Sequence, residues 1–204
     1  MSIAYAKSGS SGVGTIVLVV VLCLLVLLVA FLIQMYNSII RLKNNVKENW
    51  SNIDVLLKQR HDELPKLVSA CKHYMQHESS TLENVIKARN QVETARTSGD
   101  MQQVGAAETQ LRKSVGGLFA VAEQYPDLKA DASFEKLQQR ITALENQIAD
   151  RRELYNDSVN LNNTRIEQFP AVIFAGMFGF KHFDLLKFAA AETADVDMDD
   201  LFDK

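Results

Sequence analysis

The sequence predicts an all-α protein, in which an N-terminal transmembrane helix is followed by an antiparallel up-and-down four-helix bundle. Three observations support this fold class: an uncharged apolar run at 15–33, apolar residues at helical spacing from 36 to 169, and a chain with only three prolines and nine glycines. The helices that this spacing predicts have similar lengths and short connections, which favours the up-and-down arrangement.

Residues 15–33 are the predicted membrane span. The run reads TIVLVVVLCLLVLLVAFLI, with no charged residue, proline or glycine. An α-helix of this length is roughly 28 Å long, which matches the hydrocarbon core of a bilayer. A surface helix of a soluble protein would carry polar residues at every third or fourth position, and the length of the run disfavours a fully buried helix. A cleaved signal peptide would have a shorter apolar centre. The run therefore predicts a helix that crosses a membrane once.

The charges on either side of the span predict its orientation. Lys7 is the only charged residue before the span, whereas Arg41, Lys43 and Lys47 follow it closely. The positive-inside rule then places residues 1–14, a short and flexible Gly/Ser-rich terminus, outside the cell and the rest of the chain in the cytoplasm.

Four helices are predicted after the span, in the region 34–169, with the bounds 34–64, 65–97, 101–125 and 133–169. Proline lacks a backbone donor and disfavours helix at the preceding residue, so Pro65 marks the first boundary; alternatively, it kinks one longer helix. The sequences TSGD at 97–100 and YPDLK at 125–129 have the composition of turns.

The segment after the bundle is rich in phenylalanine. Residues 169–188 hold six of the ten phenylalanines, and 170–188 is predicted to be an amphipathic, interfacial segment because its apolar stretch is too short to span a bilayer. Three interpretations stay open: a cap on the bundle, a helix in the membrane interface, or a protein-docking surface. The side chains expected to contact the membrane or a partner are Phe169, Phe174, Met177, Phe178, Phe180, Phe183 and Phe188.

Residues 189–204 form an acidic tail, with six carboxylates against Lys204. This composition predicts a disordered segment, in which Leu201 and Phe202 are a candidate docking motif. Residues 34–98 are instead slightly basic, with ten Lys/Arg against seven Asp/Glu. A solvated helix surface explains this excess, and contact with anionic lipid headgroups is the alternative.

Five ionisable residues fall on otherwise apolar helix faces. We interpret them as a structural polar seam, whose members pair inside the bundle and help to fix its register. A catalytic carboxylate-and-base arrangement is the alternative interpretation. The residues of this seam are Arg60, Glu78, Arg89, Glu145 and Arg151.

The pair His73 and His77 is the only arrangement of histidines in the sequence that suggests a metal site. On a helix, a spacing of four places two imidazoles on one face, and Glu78 follows directly. A zinc site needs at least one more ligand, and the order of residues differs from the HExxH motif of metalloproteases. Hydrogen-bonded or surface histidines are therefore the favoured interpretation, and we expect no metal and no cofactor.

Other functional classes lack support in the sequence. The net charge of −3 gives no indication of nucleic-acid binding, and there is no GxxxxGK phosphate-binding motif. Cys23 lies in the span and Cys71 on an apolar helix face, so the two cysteines do not form a disulfide or a metal site.

Motifs spread along residues 36–183 resemble those of LemA proteins. The resemblance implies a bacterial single-pass membrane protein with an antiparallel helical bundle, and it brings no settled activity. Two departures, LN at 161–162 and HF at 182–183, affect only the packing of the last helix. The matching motifs are WSNIDV at 50–55, RHDELP at 60–65, LV at 67–68, Tyr74, HE at 77–78, TL at 81–82, AR at 88–89, YPDLKA at 125–130, Phe134, EN at 145–146, Ile148, RR at 151–152, YN at 155–156 and FP at 169–170.

Together these features predict a non-enzymatic protein of the bacterial cell (inner) membrane that scaffolds or modulates a membrane-associated protein complex. It would bind lipids and protein partners, and would form a homo-oligomer. The alternative is a membrane-surface organiser that binds lipid through residues 169–188 and the basic first helix. A metal-dependent hydrolase that uses His73, His77 and Glu78 is a third, less favoured hypothesis.

Overall fold

The structure, a computed structural model, describes residues 8–188, with side chains from residue 13 onward. This part of the chain is helical apart from short connections and a final non-helical stretch, and it contains no strand. The all-α class and the long apolar N-terminal helix are confirmed. The predictions for residues 1–7 and for the tail at 189–204 lie outside the described residues. The helices are α1 (Ser8–Lys72), α2 (Ser79–Ser98), α3 (Met101–Ala122), α4 (Pro126–Lys129), α5 (Ala132–Glu167) and α6 (Ala171–Phe178).

α1 is one uninterrupted helix that combines the predicted span with the first helix of the bundle. Its 65 residues rise by roughly 97 Å. Residues 13–31 are all exposed, and within the described residues α1 is the one helix long and apolar enough to cross a membrane. Burial begins at Met35 and Ile39, just after the apolar run. Residues 8–14, expected to be a flexible terminus, are helical because helix propagates easily from an adjoining span.

The helix boundary expected at 64/65 is wrong, because Pro65 lies inside α1; the alternative of one longer helix is what the structure shows. A proline in a helix interior removes the hydrogen bond to residue i−4 and costs about 3 kcal/mol. Here residue i−4 is His61, and its carbonyl oxygen accepts a hydrogen bond of 2.9 Å from Nε of Arg89 in α2. Leu64 and Leu67, on either side of the proline, are fully buried, so core packing also holds this turn helical.

The first connection lies at 73–78, and the later boundaries fall within three residues of those predicted. Gly99 follows α2 with a φ of +74°, a left-handed conformation that glycine adopts without strain. Asp100 and Asp131 precede α3 and α5, and each carboxylate accepts hydrogen bonds from two backbone N–H groups of the helix that it caps. Between α3 and α5, the predicted YPDLK turn contains the short helix α4, with Pro126 at its first position.

Three hydrophobic clusters follow one another along α1 and α5. The distal cluster, farthest from the span, joins the end of α1 to α2, α3, α4 and the start of α5. The middle cluster joins α1 to the end of α2, the start of α3 and the middle of α5. The proximal cluster joins Met35 and Ile39 to Ile166 of α5 and to α6. α5 therefore runs back toward the span.

α2 and α3 are too short to reach the proximal cluster. Their 20 and 22 residues rise by about 30 and 33 Å, against about 54 Å for the 36 residues of α5. The space beside α1 and α5 near the span is filled by α6 and by residues 179–188, a non-helical stretch that we call the strap. As a result, α6 lies beside the point where α1 leaves its apolar run.

Replacing Arg89 by Met removes the donor to the His61 carbonyl and keeps an aliphatic side chain of similar length. We expect a loss of roughly 1–3 kcal/mol in the free energy of unfolding, the cost of leaving a sequestered acceptor without a partner. The measurement is the thermal midpoint of the detergent-solubilised protein, followed by circular dichroism. Lys113→Met, at an exposed position of α3, is the control and should change the midpoint little.

The double variant Arg89→Met with Pro65→Ala provides the decisive comparison. Pro65→Ala supplies the missing backbone N–H to the His61 carbonyl, so most of the stability lost through Arg89→Met should be recovered. Equal destabilisation by Arg89→Met in the proline and alanine backgrounds would contradict this role of Arg89.

Candidate functional site

The end of the helical body nearest the span has an apolar surface built on α6. The inner face of this helix carries Ala171 and Ala175, which are buried against Met35, Ile39 and Ile166. Two small side chains one turn apart let α6 lie close to α1 and α5. The short helix is therefore fixed to the body of the protein and its opposite side is left uncovered.

The uncovered side of α6, which we call the outer face, is apolar. Phe169 is 80% exposed and Met177 is 74% exposed, which is unusual for side chains of this size. Val172, Ile173 and Phe178 are also exposed and complete the outer face. Ile173 and Met177 lie four residues apart on α6 and so share one side of the helix, whereas Phe169 lies in the turn that precedes α6.

The outer face is level with the end of the predicted span. The proximal cluster places α6 beside Leu32, Met35 and Ile39 of α1. At 1.5 Å per residue, these positions lie within about 10 Å of Ile33, the last residue of the apolar run. The surface of α1 before that point is itself exposed and apolar. The outer face thus lies close to the end of the exposed apolar surface of α1.

Aromatic rings and a lysine surround the junction of α1 and α6. The ring of Tyr36 lies 5.1 Å from that of Phe178 in a T-shaped contact and 6.0 Å from that of Phe180. Nζ of Lys43 lies 5.7 Å from the centre of the Phe180 ring, within reach of a cation–π contact. Tyrosine rings and lysines at the end of an apolar span are typical of the headgroup level of a membrane.

The predicted contact residues occupy three environments. Three of the seven lie on the outer face, and Phe174 and Phe180 are half-buried against α1. Phe183 and Phe188 lie in the strap, packed against the middle cluster, so the structure does not place them at the membrane end. Val172 and Ile173, which also belong to the outer face, are absent from the predicted set, although they are apolar residues of the same segment.

Side-chain amides of α5 hold the backbone of the strap. Asn163 donates from Nδ2 to the carbonyl of Phe183 at 2.9 Å and accepts at Oδ1 from the N–H of the same residue at 3.0 Å. Asn156 makes the same pair of bonds with Leu186, at 3.1 and 2.9 Å. These amides supply the partners that a non-helical backbone would otherwise lack.

Two further contacts fix the strap between α5 and α3. The hydroxyl of Tyr155 donates to the carbonyl of Asp184 at 2.9 Å. On the other side, Gly105 of α3 lies so close to the carbonyl oxygen of Lys187 that a Cβ atom at this position would overlap the oxygen. Glycine is therefore required sterically here, although it weakens the helix.

A buried ion pair crosses the middle of the helical body. Arg60 of α1 and Glu108 of α3 are 2% and 3% exposed, and Nη2 of the arginine contacts Oε2 of the glutamate. Glu145 of α5 faces this pair. Burial raises the pKa of its carboxyl group, and the positive charges of Arg60 and Arg112 oppose this increase. Arg60 and Glu145 of the predicted seam thus come together, and Glu108 is the member that sequence analysis missed.

The other seam residues occupy separate places. Arg89 bonds to the His61 carbonyl, and Glu78 is half-buried in the turn before α2. Arg151 is exposed, so its assignment to the seam is wrong. Arg152 is half-buried instead, with its guanidinium carbon 4.2 Å from the centre of the Phe188 ring. The strap thus contacts Arg152 through Phe188, whereas Arg151 stays exposed.

The helical geometry assumed for the histidine pair is also wrong. His73 and His77 are exposed and lie in the connection between α1 and α2, where the chain is not helical. The ring of His73 packs edge-on against Tyr74, whose hydroxyl donates to Asp131 at 3.1 Å. Within residues 13–188, no group of three or more His, Cys, Asp and Glu side chains is arranged to hold a metal ion.

Comparison with known proteins places these features in a family. Residues 49–199 match the family model described as the LemA family. Two magnetosome proteins of Paramagnetospirillum magneticum, MamQ 1 and MamQ 2, are each 24% identical over 179 residues, which cover 75% of this chain and 65% of theirs. The magnetosome protein MamQ of Magnetospirillum gryphiswaldense is 23% identical over 183 residues, covering 77% of this chain and 66% of its own. The chain thus spans just under two thirds of the length of these relatives.

Adding a Cβ atom at Gly105 should displace the strap. Gly105→Ala gains about 1 kcal/mol of helix propensity, but the overlap with the Lys187 carbonyl should outweigh this gain and lower the thermal midpoint. Trypsin should then cut faster at Lys181 and Lys187. The control is Gly116→Ala on the same helix, where a Cβ meets nothing within 4 Å and the midpoint should rise. Unchanged cleavage of the strap in Gly105→Ala would contradict the close packing described above.

The stability of the protein should depend on the charge of Glu145. Burial raises the pKa of Glu145 above 4.5, the value of an unperturbed carboxyl group. Between these two pKa values the folded protein binds more protons than the unfolded chain. The free energy of unfolding therefore falls as pH rises through this window. Glu145→Gln should therefore raise the thermal midpoint at neutral pH, and the gain should shrink toward pH 4.5. Glu153→Gln, at an exposed position of α5, is the control. A glutamine variant less stable than its parent at neutral pH would show that ion pairing outweighs burial.

Proposed function

The chain belongs to the LemA family, and on that premise we propose that it is a non-enzymatic membrane scaffold held at the bilayer by two elements, its span and α6. The family match and the apolar length of α1 support a membrane-associated helical protein. The observation that carries the proposal is the outer face of α6, which lies level with the end of the span and presents five exposed apolar side chains.

Lipid is the partner that this position favours. Moving exposed apolar side chains out of water lowers the free energy of the system, by roughly 25 cal/mol for each Å² of apolar surface that is buried. The outer face needs no movement of the chain to reach the membrane boundary, because α6 is already fixed beside Leu32 and Met35. Its five apolar side chains would then be buried among headgroups and the first acyl carbons.

Basic residues that follow the span and α6 would fit anionic lipid headgroups. Arg41, Lys43 and Lys47 follow the span on α1, and Lys181 follows α6. A basic residue near an anionic membrane surface contributes about 1 kcal/mol to binding. With the positive-inside rule, this arrangement supports a cytoplasmic helical body at the bacterial inner membrane.

Two attachments would fix the direction of the helical body. α1 continues without interruption from the span to Lys72, so its last 39 residues extend for roughly 58 Å. A span alone leaves such a rod free to tilt and rotate, whereas a second contact through α6 restrains both motions. A helical body held in this way can keep bound proteins at a set distance from the membrane. We propose that this is its role, and that it acts as a homo-oligomer with membrane-associated protein partners.

The membrane contact is tested with a fluorescent label on the outer face of the full-length protein. Met177→Cys is labelled with an environment-sensitive fluorophore in a Cys23→Ala background. The remaining cysteine, Cys71, is buried, and burial raises the pKa of its thiol to about 12, so it does not compete for the label. The protein is reconstituted in vesicles of phosphatidylcholine and phosphatidylglycerol that carry spin-labelled acyl chains. We expect quenching at least threefold stronger than for the control Asn84→Cys, at an exposed position of α2 in the distal half.

Two results would contradict the proposal. Equal quenching at the two positions would mean that the outer face does not contact lipid. A label at position 177 that is protected from water but not quenched by lipid, and whose protection increases with protein density, would identify a second protein chain as the occupant.

A further inference from the structure

An apolar groove lies on the distal half of the helical body, away from the membrane end. It encloses about 1130 Å³ between α2, α3 and the end of α1. Its floor is apolar, with Leu82 and Ile86 from α2 and Ala107 from α3. From Ser79 to Ala95, the groove follows α2 for about 24 Å, which is long enough for a peptide segment.

The rim of the groove carries an excess of positive charge. Lys72 and Lys87 line it together with Glu83. Within the described residues, neither lysine forms an ion pair with a carboxylate. An acidic segment with a few apolar side chains therefore fits this surface, because its carboxylates would supply the missing partners.

The described chain ends beside this groove. Phe188, the last described residue, shares a small pocket with Ala106 of α3, and Ala106 also lines the groove. The following residues, 189–204, span at most about 58 Å when extended, which exceeds the length of the groove. The tail can therefore reach every part of the groove from its point of attachment.

We infer that the acidic tail at 189–204 docks into this groove of the same chain. Leu201 and Phe202 occupy the apolar floor, and the neighbouring carboxylates pair with Lys72 and Lys87 at the rim. Because the tail is tethered, its effective concentration at the groove is of millimolar order, so a weak contact suffices. A partner that binds the same groove must first displace the tail. The inference does not depend on the membrane contact of α6.

The test measures crosslinking within single molecules of the full-length protein in lipid nanodiscs. In a Cys23→Ala background, Gln91→Cys in the groove is combined with Lys204→Cys in the tail and treated with a short bis-maleimide. The control pair combines Lys204→Cys with Ala143→Cys, at an exposed position of α5 outside the groove. We expect the groove pair to crosslink at least fivefold faster than the control pair.

Two further variants connect this rate to the proposed contacts. Leu201→Ser combined with Phe202→Ser should reduce the groove rate to that of the control pair, and Lys87→Glu should reduce it in part, with circular dichroism unchanged in both. Equal rates for the two cysteine pairs, an unchanged rate in the double serine variant, or crosslinks found only between two chains would each overturn the inference. The last result would assign the groove to a second copy.

Discussion

The continuity of α1 through Pro65 is the constraint on which the rest of the structure depends. A chain that turned at this proline would end the helix that joins the predicted span to the distal core. The structure avoids this separation because Arg89 donates to the carbonyl that the proline leaves without a helical partner, while Leu64 and Leu67 stay in the core. One side chain of α2 thus compensates for a backbone defect in α1 and ties the first two helices together at the same point.

The difference in helix length explains the remaining architecture. α2 and α3 cover only the distal and middle parts of α1 and α5, so the part near the span would expose their apolar faces. α6 and the strap cover these faces with short, locally irregular chain, and the side-chain amides of α5 satisfy the backbone of the strap. The same arrangement brings an apolar helix beside the end of the predicted span, which is the basis of the proposed function.

The sequence predicts those parts of the fold that depend on local pattern. The span follows from an uncharged run, and α5 follows from apolar spacing sustained over its whole length. Local pattern could not decide between a boundary and a longer helix at Pro65, because the compensation comes from a residue 24 positions later, which no local rule contains. The strap has neither helical nor strand periodicity, so its position depends on contacts with Asn156 and Asn163 that appear only in the folded chain.

The candidate site shows the same limit. The phenylalanine content identified the region, but it does not tell which phenylalanines are exposed. Some lie on the exposed outer face, and others are packed in the strap. Glu108 was missed because its importance arises from its position opposite Arg60 on another helix, not from its own surroundings in the sequence.

The asparagine contacts have a consequence for how the strap tolerates change. Asn156 and Asn163 recognise only main-chain groups of the strap, and main-chain groups are the same for every residue except proline. These hydrogen bonds therefore place no demand on the side chains of the strap, whereas Leu186, Phe183 and Phe188 are held by their packing against the middle cluster. Substitutions at its exposed positions, Lys181, His182 and Asp184, can therefore change the surface chemistry of the strap while its backbone stays attached.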